Sequence, residues 1–178
     1  IFWNRCYEPW AIERDASIKT YFREQGKIVE SFNGSLLWEP MMVLKQDATP
    51  YRVFTPFYRK GCLNAPPPRE PLPAPDDIDL FKSESSKSLE SLELLPKIRW
   101  DTKLESHWNI SEAGGHERMQ EFLKKGLLNY KEGRNFPAIN HVSRLSPFLH
   151  HGQISPNQAW YGSIEKHSGK NLDHFLSE

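Results

Sequence analysis

The sequence has few cysteines, no excess charge of either sign and no long apolar run. Its two cysteines, Cys6 and Cys62, belong to no CxxC pair. Two thiols do not make a disulfide framework, so the expected setting is a reduced, cytoplasmic one. Lys plus Arg and Asp plus Glu number 23 each, giving a formal net charge of zero. A neutral chain exerts no global pull on a polyanion, so any nucleic-acid binding has to come from a local patch. No apolar run approaches the roughly 20 residues of a membrane span. GxGxxG and P-loop motifs are missing, which leaves ordinary nucleotide binding without motif support. There is no internal repeat, and no signal peptide is expected. The chain starts at Ile1 rather than Met. Its last residues, Phe175-Leu176-Ser177-Glu178, stop inside a helical pattern with no cap or glycine. The expectation is a partial chain, open at both ends.

What is present is a globular composition, with 38% hydrophobic and 26% charged residues, 12% aromatics and six Trp. The 178 residues suffice for one ordinary domain or two partial ones. Ile1-Phe2-Trp3-Asn4 reads as the end of a buried strand, and Tyr7-Glu8-Pro9 as a turn. Residues 10 to about 25 read as a helix with Ala11, Ile12, Ala16, Ile18 and Phe22 largely on one side, ended by Gly26. Ile28-Val29-Glu30-Ser31-Phe32 is a second strand, so the opening is a βαβ unit with a parallel sheet. Thr55-Pro56 is an N-cap and N1 pair for a further helix.

The character changes after residue 62. Asn64 to Asp76 carries Pro66, Pro67, Pro68, Pro71, Pro73 and Pro75, and proline at that density excludes helix and central strand. The polar run Ser83-Glu84-Ser85-Ser86-Lys87-Ser88 follows. Residues 63–110 therefore read as an interdomain linker, with Phe81, Leu89, Leu92, Leu94, Leu95 and Trp100 on a domain surface. From Ser111-Glu112 the chain turns helical. Met119, Phe122, Leu123 and Leu127 form one apolar stripe, Asn129 to Ile139 is a loop containing Pro137, Ser155-Pro156 opens a second helix, and a third begins near Asn171. The fold class is α/β, then a long linker, then all-α.

Five blocks, in order, resemble the DNA photolyase/cryptochrome family, and within it a class I-like cyclobutane pyrimidine dimer photolyase. They are Trp3-Asn4-Arg5-Cys6-Tyr7-Glu8-Pro9-Trp10; Ser31-Phe32-Asn33-Gly34-Ser35-Leu36-Leu37-Trp38-Glu39-Pro40; Tyr51-Arg52-Val53-Phe54-Thr55-Pro56-Phe57; Tyr130-Lys131-Glu132-Gly133-Arg134-Asn135-Phe136-Pro137; and Ser143-Arg144-Leu145-Ser146-Pro147 running on to Leu149-His150-His151-Gly152-Gln153-Ile154-Ser155-Pro156. The resemblance implies that residues 1–62 are the C-terminal part of an α/β antenna domain and 111–178 the N-terminal part of a helical FAD-binding domain. It also implies a reaction. Light excites fully reduced FAD, an electron passes to a pyrimidine dimer in UV-damaged DNA, the dimer splits and the electron returns; the cofactor does the hard step and the protein binds and tunes it. The damaged nucleotides leave the base stack.

By the same resemblance Tyr130, Val142, Ser143, Arg144, Leu145 and Ser146 contact FAD, with Tyr130 twelve residues before Val142. A loop entering a helix supplies aligned N–H groups for a pyrophosphate. The family commonly has Thr where Val142 stands, and losing that hydroxyl removes one hydrogen bond worth roughly 0.5–1.5 kcal/mol. Arg134 matches an arginine that meets DNA backbone, a task suited to a guanidinium. Glu8 is the one candidate ligand for an antenna chromophore, a folate or a deazaflavin. Catalytic and lesion-contacting residues are expected beyond Glu178. A cryptochrome photoreceptor and a (6-4) photolyase share these motifs.

On the residues alone, other assignments stay open. Ser143 to Ser146 also reads as capping of the next helix, Tyr130 as a packed loop aromatic, Arg134 as a surface ion pair and Glu8 as a surface turn carboxylate. His150-His151 is not a metal site, because adjacent helical residues diverge. The expected state is a monomer without metal or membrane.

Overall fold

The computed structural model describes residues 1–80 and 86–178. Phe81, and the Ser83-Glu84-Ser85 part of the polar run, lie outside the described residues. The opening is a βαβ unit as expected. Strand β1 (Phe2–Asn4) and strand β2 (Glu30–Phe32) pair in parallel with Trp3 opposite Ser31, and helix α1 (Pro9–Glu24) crosses between them. Pro9 supplies a first-turn residue whose missing N–H costs nothing there. At the other end Gly26 takes φ 71°, which lets its N–H reach Arg23 C=O at 2.9 Å while Lys27 N–H reaches Phe22 C=O at 3.0 Å. That pair of bonds is a Schellman ending.

The apolar side expected on α1 is only partly used. Ala11 is fully buried, but Ile12 is 53% exposed and Ala16 is exposed. A two-stranded sheet presents too narrow a surface to cover the whole stripe. The helix is tied to the sheet by polar groups as well. Trp3 Nε1 donates to Asp15 at 2.7 Å, and Lys19 Nζ donates to Ser31 Oγ at 2.6 Å. Asp15 is buried, and the Arg14 guanidinium, then the Trp3 indole, hold its carboxyl below the usual carboxylate range. Arg5 spans the sheet edge, donating to Ser31 C=O at 2.6 Å and pairing with Glu39.

A single 3₁₀ turn at Pro40–Met42 leads to helix α2 (Phe54–Pro56), which runs on through a wide π turn at Phe57–Gly61 and a 3₁₀ turn at Cys62–Asn64. Thr55 is not its N-cap. The extended Val53 (φ −127°, ψ 134°) takes that position, so Thr55 is the second helical residue and Pro56 the third rather than the first. Pro56 is still in the first turn, where the N–H has no intrahelical partner to lose. Between residues 65 and 110 the regular structure among the described residues is one 3₁₀ turn (Glu90–Leu92) and helix α3 (Thr102–Glu105). Leu89, Leu92, Leu94, Leu95 and Trp100 are all at least half exposed.

The rest is helical: α4 (Glu112–Glu121), α5 (Tyr130–Gly133), α6 (Ser146–His150), α7 (Pro156–Lys166) and α8 (Lys170–Leu176). Ser111 caps α4, its Oγ accepting Gly114 N–H at 3.0 Å. Ser155 and Gln158 form a reciprocal capping box on α7. The expected stripe is the core: Met119, Phe122, Leu123 and Leu127 are buried, joined by Tyr130, Leu145, Phe148, Ile154, Ala159 and Leu172. Each fully buried Leu here stabilises by about 1.5–3 kcal/mol. The 129–139 loop starts later than expected. Tyr130–Gly133 is still helical, and the irregular stretch begins near Arg134.

The proline-rich stretch lies along α7. Trp38 Nε1 donates to Pro66 C=O at 2.8 Å, Tyr161 Oη to Pro68 C=O at 2.5 Å and Asn157 Nδ2 to Arg69 C=O at 2.6 Å. Trp38 also packs edge-on against Trp160 at 5.4 Å. Proline has no N–H to donate, so a proline-rich strand docks through its carbonyls and takes its donors from side chains.

Two outcomes follow from this packing. Leu123→Ala is expected to lower unfolding free energy by about 2–5 kcal/mol in denaturant titration; a loss under 1 kcal/mol would mean the stripe is not the core. Asp47 accepts Thr49 N–H and Oγ1–H, which lowers its carboxyl from 3.8 to about 2. A depressed carboxylate stabilises the fold fully above its unfolded pKa and loses that contribution as pH falls toward the folded value. Carboxyl NMR should find its midpoint near 2, and a midpoint at 3.8 would show the turn is not formed.

Candidate functional site

The segment joining α4 to α5 holds the site. After Glu121 the helix widens into a π turn (Phe122–Gly126), where Leu127 N–H reaches back five residues to Phe122 C=O. It then tightens to 3₁₀ (Leu127–Asn129), where Tyr130 N–H bonds Leu127 C=O. That bond falls one residue short of Gly126 C=O, the partner Tyr130 N–H would have in an α-helix. His141 meets that carbonyl as well: its Nδ1 stands 3.2 Å from Gly126 C=O. A carbonyl only accepts, so Nδ1 carries the proton in this contact. The His141 ring lies where Gly133 has no side chain; a Cβ there would meet ring Cγ at 2.5 Å and His141 Cβ at 2.6 Å. From the far end of the chain Asn171 closes the break as well, donating to Leu128 C=O at 2.7 Å and accepting from Lys131 N–H at 3.0 Å.

This frame surrounds Tyr130. Its ring packs edge-on against Phe122 at 5.7 Å and Phe175 at 5.4 Å, and only 8% of the residue is exposed. Burial, then the Glu178 charge, push its phenol pKa up, and Arg134 partly opposes this. The Arg134 guanidinium lies 5.7 Å from the Tyr130 ring centre and pairs with Glu178. So Tyr130 and Arg134 are brought together, Tyr130 on a helix rather than a loop and Arg134 at the end of that helix. Arg134 already holds a carboxylate. Binding a phosphate there means exchanging one anion for another, which a guanidinium's fork allows.

The 142–146 stretch approaches the same helix from the other side. Val142, 39% exposed, faces an open pocket of about 240 Å³ with Phe122, Gly126, Lys125 and Arg118 in its wall. Leu145 is buried in the core beside Tyr130, Phe122 and Leu127. Between them Arg144 takes φ 54°, a left-handed conformation that costs a non-glycine residue about 1–2 kcal/mol. Ser143 Oγ accepts Leu145 N–H at 3.4 Å, a weak local contact. Among the described residues, the Arg144 and Ser146 side chains make no hydrogen bond or ion pair. Ser146 is the first residue of α6 and its hydroxyl caps nothing; the capping position is Leu145, whose side chain makes no cap.

This donor set fits the phosphate-bearing part of a dinucleotide. The Arg144 guanidinium and the Ser146 hydroxyl, both without partners among the described residues, stand on a strained turn, and both groups are of a kind that can donate to phosphate oxygens. Sequence reasoning missed His141 and Asn171. The available signal was the pair Gly126 and Gly133, seven apart on one helix around an aromatic, which leaves room for another side chain. Glu8 lies apart from this cluster, extended before α1, exposed and making no side-chain cap. A wider cleft of about 870 Å³, with Lys45, Arg52 and Lys60 in its wall, contains none of the expected site residues. Among the described residues no His/Cys/Asp/Glu group is placed to hold a metal, and no helix is long and apolar enough to cross a membrane.

A family model described as DNA photolyase matches residues 1–76. A deoxyribodipyrimidine photo-lyase of Agrobacterium fabrum is 34% identical over 183 aligned residues, covering all of this chain and 38% of that protein. Cryptochrome-2 of Arabidopsis thaliana is 28% identical, covering 87% of this chain and 26% of that protein. A crystal structure titled as a bacterial class III photolyase from Agrobacterium tumefaciens superposes with a TM-score of 0.88 at 33% identity, covering 99% of this chain and 37% of that one. The chain thus spans well under half the length of these relatives.

The packing of His141 against Gly133 has a direct test. Gly133→Ala is expected to destabilise by about 1–3 kcal/mol, because the colliding atoms lie near the His141 backbone and cannot swing away. Gly152→Ala is a poor control because of its positive φ, whereas Ala16→Ser on the exposed side of α1 should stay within about 0.5 kcal/mol. Thermal unfolding of both variants decides it; equal melting temperatures would remove the packing argument.

Proposed function

The chain belongs to the DNA photolyase/cryptochrome family, and from that premise we propose that the whole protein is a deoxyribodipyrimidine photo-lyase, repairing cyclobutane pyrimidine dimers in DNA with light and FAD. The observation that carries this reading is the cluster around Tyr130. A buried aromatic shares one core with Leu145, the residue between Arg144 and Ser146, whose side chains have no partner among the described residues. In this reading residues 1–62 are the later part of an antenna domain, 63–110 the connection, and 111–178 the first part of the flavin domain.

Reduced FAD, when bound, supplies the light-driven electron. The residues of this chain bind and orient. Arg144 and Ser146 donate to the pyrophosphate, and Ser143 adds a second hydroxyl. Val142 contributes apolar contact and a backbone group, and Leu145 anchors the turn in the core. Tyr130 backs the flavin side of the turn. Arg134 leaves Glu178 for a DNA phosphate, and the damaged nucleotides enter the pocket out of the stack. An antenna pigment, folate or deazaflavin, would draw on Glu8. Residues that touch the lesion or relay electrons are expected outside 1–178.

The second reading is a cryptochrome-type photoreceptor, favoured by the match to Arabidopsis cryptochrome-2 over 87% of this chain. One assay separates the two. Full-length, flavin-loaded and reduced protein is mixed with DNA containing cyclobutane dimers, under blue light and in darkness. Repair in light alone is the expected result. Flavin photochemistry without repair would turn the assignment to the photoreceptor, and repair of (6-4) products alone to that photolyase.

A further inference from the structure

Asn171 makes an unusual use of its side chain. It is the second residue of α8, a position where an amide ordinarily faces water or serves its own helix end. The α8 start makes no side-chain cap. Asn171 instead spends both ends of its amide on a helix forty residues away, donating to Leu128 C=O at 2.7 Å and accepting from Lys131 N–H at 3.0 Å. Those two backbone groups flank Tyr130 on either side. A carboxamide is the side-chain group that copies a peptide's own donor and acceptor at this reach. Aspartate lacks the donor, and leucine, of similar size, lacks both.

We propose that Asn171 is a positioning residue for the Tyr130–Arg134 turn. It locks the 128–129 and 130–131 peptide planes, which bracket Asn129-Tyr130, and so sets the direction of the Tyr130 ring and, one turn on, of Arg134. His141, on Gly126 C=O at 3.2 Å, ties the 142–146 turn to the same break from the other side. The two faces of the candidate flavin site are thereby held at one fixed spacing. This inference rests on the flavin reading above.

The test uses the full-length protein in three variants, Asn171→Leu, Asn171→Asp and Ser155→Ala. Free FAD is titrated into each by fluorescence quenching, well below the lowest melting temperature, and amide hydrogen exchange is followed at Lys131. Asn171→Leu is expected to raise the FAD dissociation constant about tenfold, the loss of two neutral hydrogen bonds, and to speed Lys131 exchange. Asn171→Asp keeps the acceptor for Lys131 N–H and should fall between. Ser155→Ala removes the α7 capping box, whose bonds are separate from the Asn171 clamp; it should lower the melting temperature and leave the FAD constant within about twofold. A wild-type FAD constant in Asn171→Leu overturns the proposal. So does a Ser155→Ala loss of FAD affinity as large as that of Asn171→Leu, since stability alone would then account for it. If the unaltered protein binds no FAD, the flavin reading itself has failed, and faster Lys131 exchange in Asn171→Leu would mark the clamp as structural only.

Discussion

A helix that changes pitch releases backbone groups, and each group left buried without a partner costs about 1–3 kcal/mol. Between Phe122 and Tyr130 this chain passes from α through π to 3₁₀ geometry, and the candidate site is organised by how the released groups are satisfied. His141 reaches Gly126 C=O, and Asn171 reaches Leu128 C=O and Lys131 N–H. Neither residue is near the break in sequence. Satisfying the break therefore draws the 140–146 stretch and α8 onto one helix, and the core closes behind them through Leu145, Leu172 and Phe175. π turns recur at functional sites for this reason: the irregularity gives other segments of the chain something to bind.

The junction between the two architectures follows the same logic with the roles reversed. The stretch 66–71 has almost no donors to offer, so side chains supply them. Trp38 comes from the α/β part, and Asn157 and Tyr161 from α7. The edge-on contact of Trp38 with Trp160 adds apolar burial beside these bonds. The proline run is thus spaced by its fixed φ and held by carbonyl acceptors, and residues on both sides of it share one docking surface.

Much of this was legible in the residues. The βαβ opening came from Gly26 and two short β-branched and aromatic runs. The core stripe of Met119, Phe122, Leu123 and Leu127 came from helical spacing, and the start of α7 from Ser155-Pro156. These are local signals, and the physics behind each is local: a cap, a left-handed glycine, a periodicity. The expectations that moved were also instructive. Thr55-Pro56 looked like a helix start because the pair suits one, yet the extended Val53 preceded it and took the capping position. Ile12 and Ala16 fitted an apolar face, but no surface on the short sheet reached them. Tyr130 was placed on a loop containing Pro137, yet Tyr130–Gly133 is helical, with Asn171 and His141 bonded to the backbone around it. Expectations for Ser143 to Ser146 came from resemblance to a family rather than from any pattern in the residues.

By itself the sequence determined the βαβ opening, the core-facing stripe, the start of α7 and the family, because each depends on neighbours a few residues apart or on ordered motif blocks. Only the tertiary structure decided that Tyr130 stands between Phe122 and Phe175, that Arg144 is held left-handed with its guanidinium unpartnered, and that Asn171 and His141 repair one helix break. Those facts depend on which backbone groups the change of helix pitch leaves for other segments to bind and on which side chains come within reach, and that is settled only once distant segments have packed together.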